Sequence, residues 1–196
     1  MKFDKIILAT HNQGKIAEMR EMLKPLGIAV NSAAELNLPD VEETGTTFEE
    51  NAKLKAEQLS ALSGLPCLAD DSGLCVDALN GRPGVYSARY APNRDFDKGM
   101  QMLLDELSST KDTERKAHFS CVMAFARPDE KTQVFEGRVD GKIAQTKKGS
   151  GGFGYDPIFV PDEGDGRSFA EFDGAEKNKI SHRGRALRKF LEYLQK

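Results

Sequence analysis

The chain has 196 residues, 39% of them hydrophobic and 30% charged, the balance of a folded globular domain rather than a disordered segment. With 28 Lys plus Arg against 31 Asp plus Glu, its net charge of −3 excludes the globally basic footprint of a duplex nucleic-acid binder. The longest apolar run, Cys121 to Ala126, is far below the roughly 20 residues that span a bilayer, and Ile6 to Ala9 behind Lys2 and Lys5 is too short for a signal-peptide core. Membrane and secreted readings are therefore set aside. The three cysteines, Cys67, Cys75 and Cys121, form no C-x-x-C pair and read as buried thiols of a cytoplasmic protein.

No internal repeat or linker cuts the chain, so residues 1–196 read as one domain. A strand over Lys5 to Ala9 runs into a polar turn, Thr10-His11-Asn12-Gln13-Gly14-Lys15. Ile16, Met19, Leu23 and Leu26 then recur at helical spacing, with Gly27 as the stop. A second strand is expected at Ile28 to Ser32. Thr47 and Glu50 are spaced as a capping box for a helix reaching about Ser63, which Gly64 closes. A short strand, Pro66 to Ala69, is expected to end abruptly at Asp70-Asp71-Ser72-Gly73. Asp95 is placed to cap a helix carrying Met100, Leu103 and Leu107.

From His118 to Ala126 the apolar period shortens, and after Pro128-Asp129 it resumes over Gln133 to Ile143. That pattern predicts an antiparallel hairpin. Gly149 to Gly154 precede a strand at Ile158 to Val160. A last helix, capped by Ser181, puts Leu187, Phe190, Leu191 and Leu194 on one face. Helices alternating with strands early and strands pairing later predict an α/β fold with a mixed sheet.

Four places carry candidate chemistry. The Thr10–Lys15 turn joins a strand to a helix start and adds a cation, an arrangement suited to phosphate. It is not a Walker loop, because Ala9 and Ile16 stand where glycine and Ser or Thr belong. The same turn also reads as a solvated loop capped by Asn12. Asp70 and Asp71, with Glu42 and Glu43 upstream, are oxygen donors of the kind Mg2+ takes together with substrate phosphates; an ordinary acidic turn is the alternative. Gly149 to Asp156 sets Phe153 and Tyr155 among glycines, offering a stacking face or two core aromatics. Lys177, Lys179 and Arg183 gather at an expected helix start, where cations oppose the helix dipole and suggest a nearby anion; pairing with Glu171, Asp173 or Glu176 would satisfy them equally.

Taken together, the motifs resemble one family. They are Thr10-x-Asn12-x-Gly14-Lys15, Glu42-Glu43-Thr44-Gly45, Phe48-x-x-Asn51-Ala52, Ala69-Asp70-Asp71-Ser72-Gly73-Leu74, Gly84-x-Tyr86-Ser87-Ala88-Arg89-Tyr90, Gly151-Gly152-Phe153-Gly154-Tyr155-Asp156-Pro157-Ile158-Phe159 and Ser181-His182-Arg183. In that order they resemble the inosine/xanthosine triphosphate pyrophosphatases. The resemblance implies an elongated, two-lobed α/β fold around a long mixed sheet, a substrate cleft between the lobes, and a homodimer. It implies Mg2+-dependent hydrolysis of ITP, dITP and XTP to the monophosphate and pyrophosphate, with no nucleic-acid or membrane partner. It further implies that Thr10, His11, Asn12, Gln13, Gly14 and Lys15 hold the triphosphate, and that Glu42 and Asp71 bind metal. Asp71 would be the proton acceptor, assisted by Asp70 and Lys15. Ser72, Phe153, Gly154, Tyr155, Asp156, Lys177, His182 and Arg183 would contact substrate. From the donor and acceptor pattern of the bases, Arg183, a pure donor, would favour the purine O6, with Phe153 stacking on the ring. The rivals are a pyrophosphatase for other triphosphates and a regulator that binds a nucleotide without cleaving it.

Overall fold

Ile6, Ile7 and Leu8, all buried, form strand β1 (Lys5–Leu8) of a computed structural model that describes residues 4–111 and 113–196; Lys2 and the side chain of Leu26 lie outside that set. Helix α1 (Gln13–Leu23) follows, then β2 (Ala29–Ser32), α2 (Phe48–Ser63), β3 (Cys67–Val76), α3 (Phe96–Ser108), β4 (Lys116–Ala126), β5 (Gln133–Ile143), β6 (Phe159–Pro161), α4 (Gly174–Ile180) and α5 (His182–Leu194). The strands make a six-stranded sheet in the order β2-β1-β3-β4-β5-β6. β1 lies parallel to both β2 and β3, with Ile7 opposite Asn31 and Cys67. β5 and β6 are antiparallel, with Ile143 opposite Phe159. The expected mixed sheet is therefore present. β4 and β5 are neighbours joined only by Arg127 to Thr132, too few residues for a parallel crossover, so they form the expected antiparallel hairpin.

The chain divides into two compact units. One holds the residues up to Asp71, Cys121–Gly137 and Arg183–Lys196; the other holds Ser72–Ser120 and Arg138–His182. In the first unit the period of two in the strands splits the core into two layers. Ile6, Leu8, Leu68, Cys121, Met123 and Phe125 pack on Ile16, Met19 and Leu23 of α1 and on Leu187 and Phe190 of α5. Ile7, Ala9, Cys67, Ala69, Val122 and Ala124 face the other way, onto Ala52, Ala56 and Leu59 of α2. In the second unit Leu74, Val76, Ala117, Phe119, Val139, Ile143 and Phe159 pack on Met100, Leu103 and Leu107 of α3.

The local signals explain most element ends. Thr47 Oγ1 accepts from the Glu50 amide while the Glu50 carboxylate accepts from the Thr47 amide, and Gly64 closes α2 in the left-handed region at φ 67°. Asp95 accepts from the Lys98 amide and caps α3. Among the described residues, no helix is long and apolar enough to cross a membrane.

Three expectations need correction. The helix expected to reach Leu26 ends at Leu23, because Pro25 forces a 3-10 turn over Lys24–Leu26; Gly27 is still the stop. The strand expected to stop before Asp70 runs ten residues, through both aspartates to Val76. It continues because both carboxylates find buried partners, described below, and because Leu74 and Val76 enter the core of the second unit. Finally, Lys177 and Lys179 precede α5 as expected but themselves lie in the last turn of α4, where the dipole favours cations. The charge conflict read from the sequence does not exist for these two lysines. Asp173 and Glu176 form the capping box that starts α4.

Candidate active site

In a strand, neighbouring side chains point to opposite faces. Asp70 and Asp71 are therefore separated by the sheet rather than crowded together. Asp70, fully buried, points toward α1 and α5. Its Oδ2 lies 3.0 Å from Lys15 Nζ and accepts from Arg183 Nε and Nη2 at 3.3 and 3.2 Å. Arg183, 2% exposed, also donates from Nη1 to Glu18 Oε2 at 2.5 Å. Lys15 and Glu18 stand one turn apart on α1, so the signs alternate along Lys15, Asp70, Arg183 and Glu18. Burial alone would raise the Asp70 pKa, but Lys15, Arg183 and Lys55 hold it well below the usual carboxylate range.

Asp71 points to the other face, toward α2. Asn51 Nδ2 donates to its Oδ2 at 3.0 Å, and Lys55 Nζ lies 3.8 Å from its Oδ1. Lys55 is 7% exposed; its ammonium pairs with Glu43 at 2.6 Å and donates to the Asp70 carbonyl at 2.8 Å. Burial works against that charge, yet Asp71, Glu43 and Asp70 together raise the Lys55 pKa. Asp71 shifts opposite to Asp70: burial pushes it up, and the charge of Glu43 adds to the rise against Lys55 and Lys15.

The Thr10–Lys15 turn is self-capped. Asn12 accepts the Lys15 amide at 3.2 Å and donates its own amide to Thr10 Oγ1 at 3.2 Å. Gln13 and Gly14 open α1, in the first turn, where amides lack helical carbonyls. His11 Nδ1 lies 3.3 Å from Asp40, and both side chains remain partly exposed. Glu42 is exposed on the loop before α2.

The second unit holds another charged group. Lys177 and Asp156, 4% and 3% exposed at their side chains, pair at 2.7 Å, and Lys177 Nζ sits 4.8 Å above the Phe153 ring. Asp156 also accepts the Phe153 amide at 2.8 Å. Gly152, at φ 67°, closes this turn; a Cβ there would lie 2.1 Å from Asp156 Oδ2. Gly154 belongs to the same turn, and Ser72, at the start of this unit's part of β3, is partly exposed.

Three of the expected substrate contacts are buried. Tyr155 is 2% exposed, meets Phe96 edge-on and donates to the Ser87 carbonyl at 3.0 Å, so it is a core aromatic. His182, 4% exposed, lies stacked on Phe119 at 4.6 Å. Arg183 pairs with Asp70 and Glu18, as described above. All three cysteines are buried thiols, and burial pushes Cys67 up to about 11 and Cys121 up to about 12. They are poor nucleophiles at neutral pH.

Lys55, Glu18 and the role of Asn51 escaped the sequence reading. A signal existed for two of them. Asn51 and Lys55 are four apart on α2 and share the buried side with Ala52, Ala56 and Leu59, where a polar residue needs a partner.

Metal binding is tested by the donor set. Among the described residues, no group of three His, Cys, Asp or Glu side chains is placed to hold a metal ion. Mg2+ does not require one, since it commonly takes one or two carboxylates and completes its shell with water and phosphate oxygens. Asp71, a hard oxygen donor whose charge burial disfavours, and the exposed Glu42 fit that demand.

A model of the Ham1 family matches residues 6–193. A Streptomyces coelicolor protein named dITP/XTP pyrophosphatase is 49% identical over 188 residues, covering 94% of each chain. A Bacillus subtilis protein of the same name is 47% identical and covers 96% of each. Among solved structures, a HAM1 protein from Coxiella burnetii superposes with a TM-score of 0.89 at 44% identity, covering 98% of this chain and 99% of that one. The Staphylococcus aureus Ham1 protein gives 0.86 at 42%, covering 97% and 98%.

Proposed function

The chain belongs to the Ham1 family, and from that premise we propose that it hydrolyses ITP, dITP and XTP to the nucleoside monophosphate and pyrophosphate. The observation that carries the proposal is the division of labour between adjacent aspartates, in a chain whose relatives are named dITP/XTP pyrophosphatase. One carboxylate is neutralised between Lys15 and Arg183; the other is held by Asn51 beside Lys55.

In this reading Asp71 accepts the proton of the water that attacks the α-phosphorus. Asp70 is no base, since two cations hold it ionised; it fixes Lys15 at the start of α1. Lys15, with the first-turn amides of Gln13 and Gly14 and with Thr10, His11 and Asn12 around them, holds the phosphates and the charge that grows on the leaving pyrophosphate. Phe153 supplies the stacking face for the purine. Lys177, fixed by Asp156, supplies a second cation, and Ser72 and Gly154 border the substrate. Glu42 and Asp71 would hold Mg2+, which when bound neutralises phosphate charge. The same resemblance supports a homodimer, and the three buried free cysteines fit a reducing compartment such as the cytoplasm.

Turnover in oxygen-18 water checks the position of attack. The label is expected in the monophosphate and not in the pyrophosphate, as mass spectrometry of both products would show. Label in the pyrophosphate would place attack at the β-phosphorus and contradict this reading.

A further inference from the structure

Asn51 is wholly buried, and both ends of its side-chain amide are in use. Its Oδ1 accepts the backbone N–H of Gly45 at 2.8 Å, and its Nδ2 donates to Asp71 Oδ2 at 3.0 Å. The orientation of the amide follows from chemistry. The Gly45 N–H is a donor and must face the oxygen, which leaves only the NH2 end for the carboxylate. Gly45 approaches so closely that a Cβ there would lie 2.7 Å from Asn51 Oδ1 and 2.7 Å from Glu50 Cβ. A glycine at this place lets the backbone of the acidic loop reach the amide.

We propose that Asn51 is a positioning residue for Asp71: its amide fixes the rotation of that carboxylate and ties it to the loop carrying Glu42 and Glu43. The inference rests on the reading of Asp71 as proton acceptor. A carboxylate beyond Cβ turns about a broad torsion, so without a fixed donor its oxygens would sample many directions. Reserving Oδ2 for Asn51 presents Oδ1 in one direction. Lys55 cannot replace this constraint, because at 3.8 Å from Oδ1 it acts as a charge rather than as a directed hydrogen bond.

The test is a double-mutant cycle read in kcat and KM on the full chain. Asn51→Ala is expected to lower kcat about 10- to 100-fold, the usual size for an outer partner of a functional ligand, while KM for ITP stays within about threefold. In the Asp71→Asn background the same change is expected to cost less than about threefold, because there is no longer a proton acceptor to orient. If Asn51→Ala does not fold, the cycle is read on Asn51→Ser, which keeps a shorter hydroxyl. Equal losses in both backgrounds would mean that Asn51 merely supports the fold, and an unchanged kcat in the parent chain would remove its role; either result overturns the inference. A normal kcat for Asp71→Asn alone would instead overturn the reading of Asp71 on which it rests.

Discussion

Asp71→Asn is expected to lower kcat on ITP at least about 100-fold, the size typical of a positioned acid–base group. The substitution preserves shape and keeps a group that can meet Asn51 and Lys55, so the fold should survive it. What disappears is the ability to take a proton and the negative charge that the proposed metal would meet. Asp70→Asn offers the instructive contrast. Asp70 is buried between Lys15 and Arg183 and reaches the chemistry only through Lys15, so its loss should appear first in stability. Circular dichroism and denaturant titration beside the kinetics separate the two. A near-normal kcat for Asp71→Asn would remove it as the proton acceptor.

Arg183→Leu is expected to lower unfolding stability by about 3–5 kcal/mol, the usual consequence of removing one partner from a buried ion network. Arg183 is 2% exposed and binds Asp70, itself fully buried, and Glu18, whose side chain is 14% exposed. Without the guanidinium, Asp70 and Glu18 each lose a buried cationic partner. Arg183→Lys should recover only part of the loss, because an ammonium cannot reproduce a planar fork spanning two carboxylates. Urea titration of the single variants and of Asp70→Asn with Arg183→Leu measures the coupling, and the double loss should be smaller than the sum. A loss below about 1 kcal/mol for Arg183→Leu would show that the network contributes no more than a surface pair.

What the sequence revealed was governed by distance along the chain. Thr47 and Glu50, or Asp95 and the amide of Lys98, are three residues apart, so those helix starts could be read directly. The hairpin of β4 and β5 was legible because its period and turn are local. Asp70-Asp71-Ser72-Gly73 reads locally as a turn; its partners Lys15, Asn51, Lys55 and Arg183 come from three helices, and only they show why the strand continues. Tyr155 is a similar case, since its hydroxyl is satisfied by the carbonyl of Ser87, far away in sequence. Helix α4 spans only seven residues, Gly174–Ile180, too few for an apolar period, and so the helical turn that holds Lys177 and Lys179 was not legible. The motif residues themselves were legible by resemblance, but the buried ion network around Arg183 was not.

The most direct measurement is release of pyrophosphate and monophosphate from ITP, XTP, GTP and ATP with Mg2+, with and without excess EDTA. The account predicts IMP and XMP plus pyrophosphate, formed only with metal and far faster than the products from GTP or ATP. Equal rates on all four triphosphates, or turnover that EDTA leaves unchanged, would contradict it.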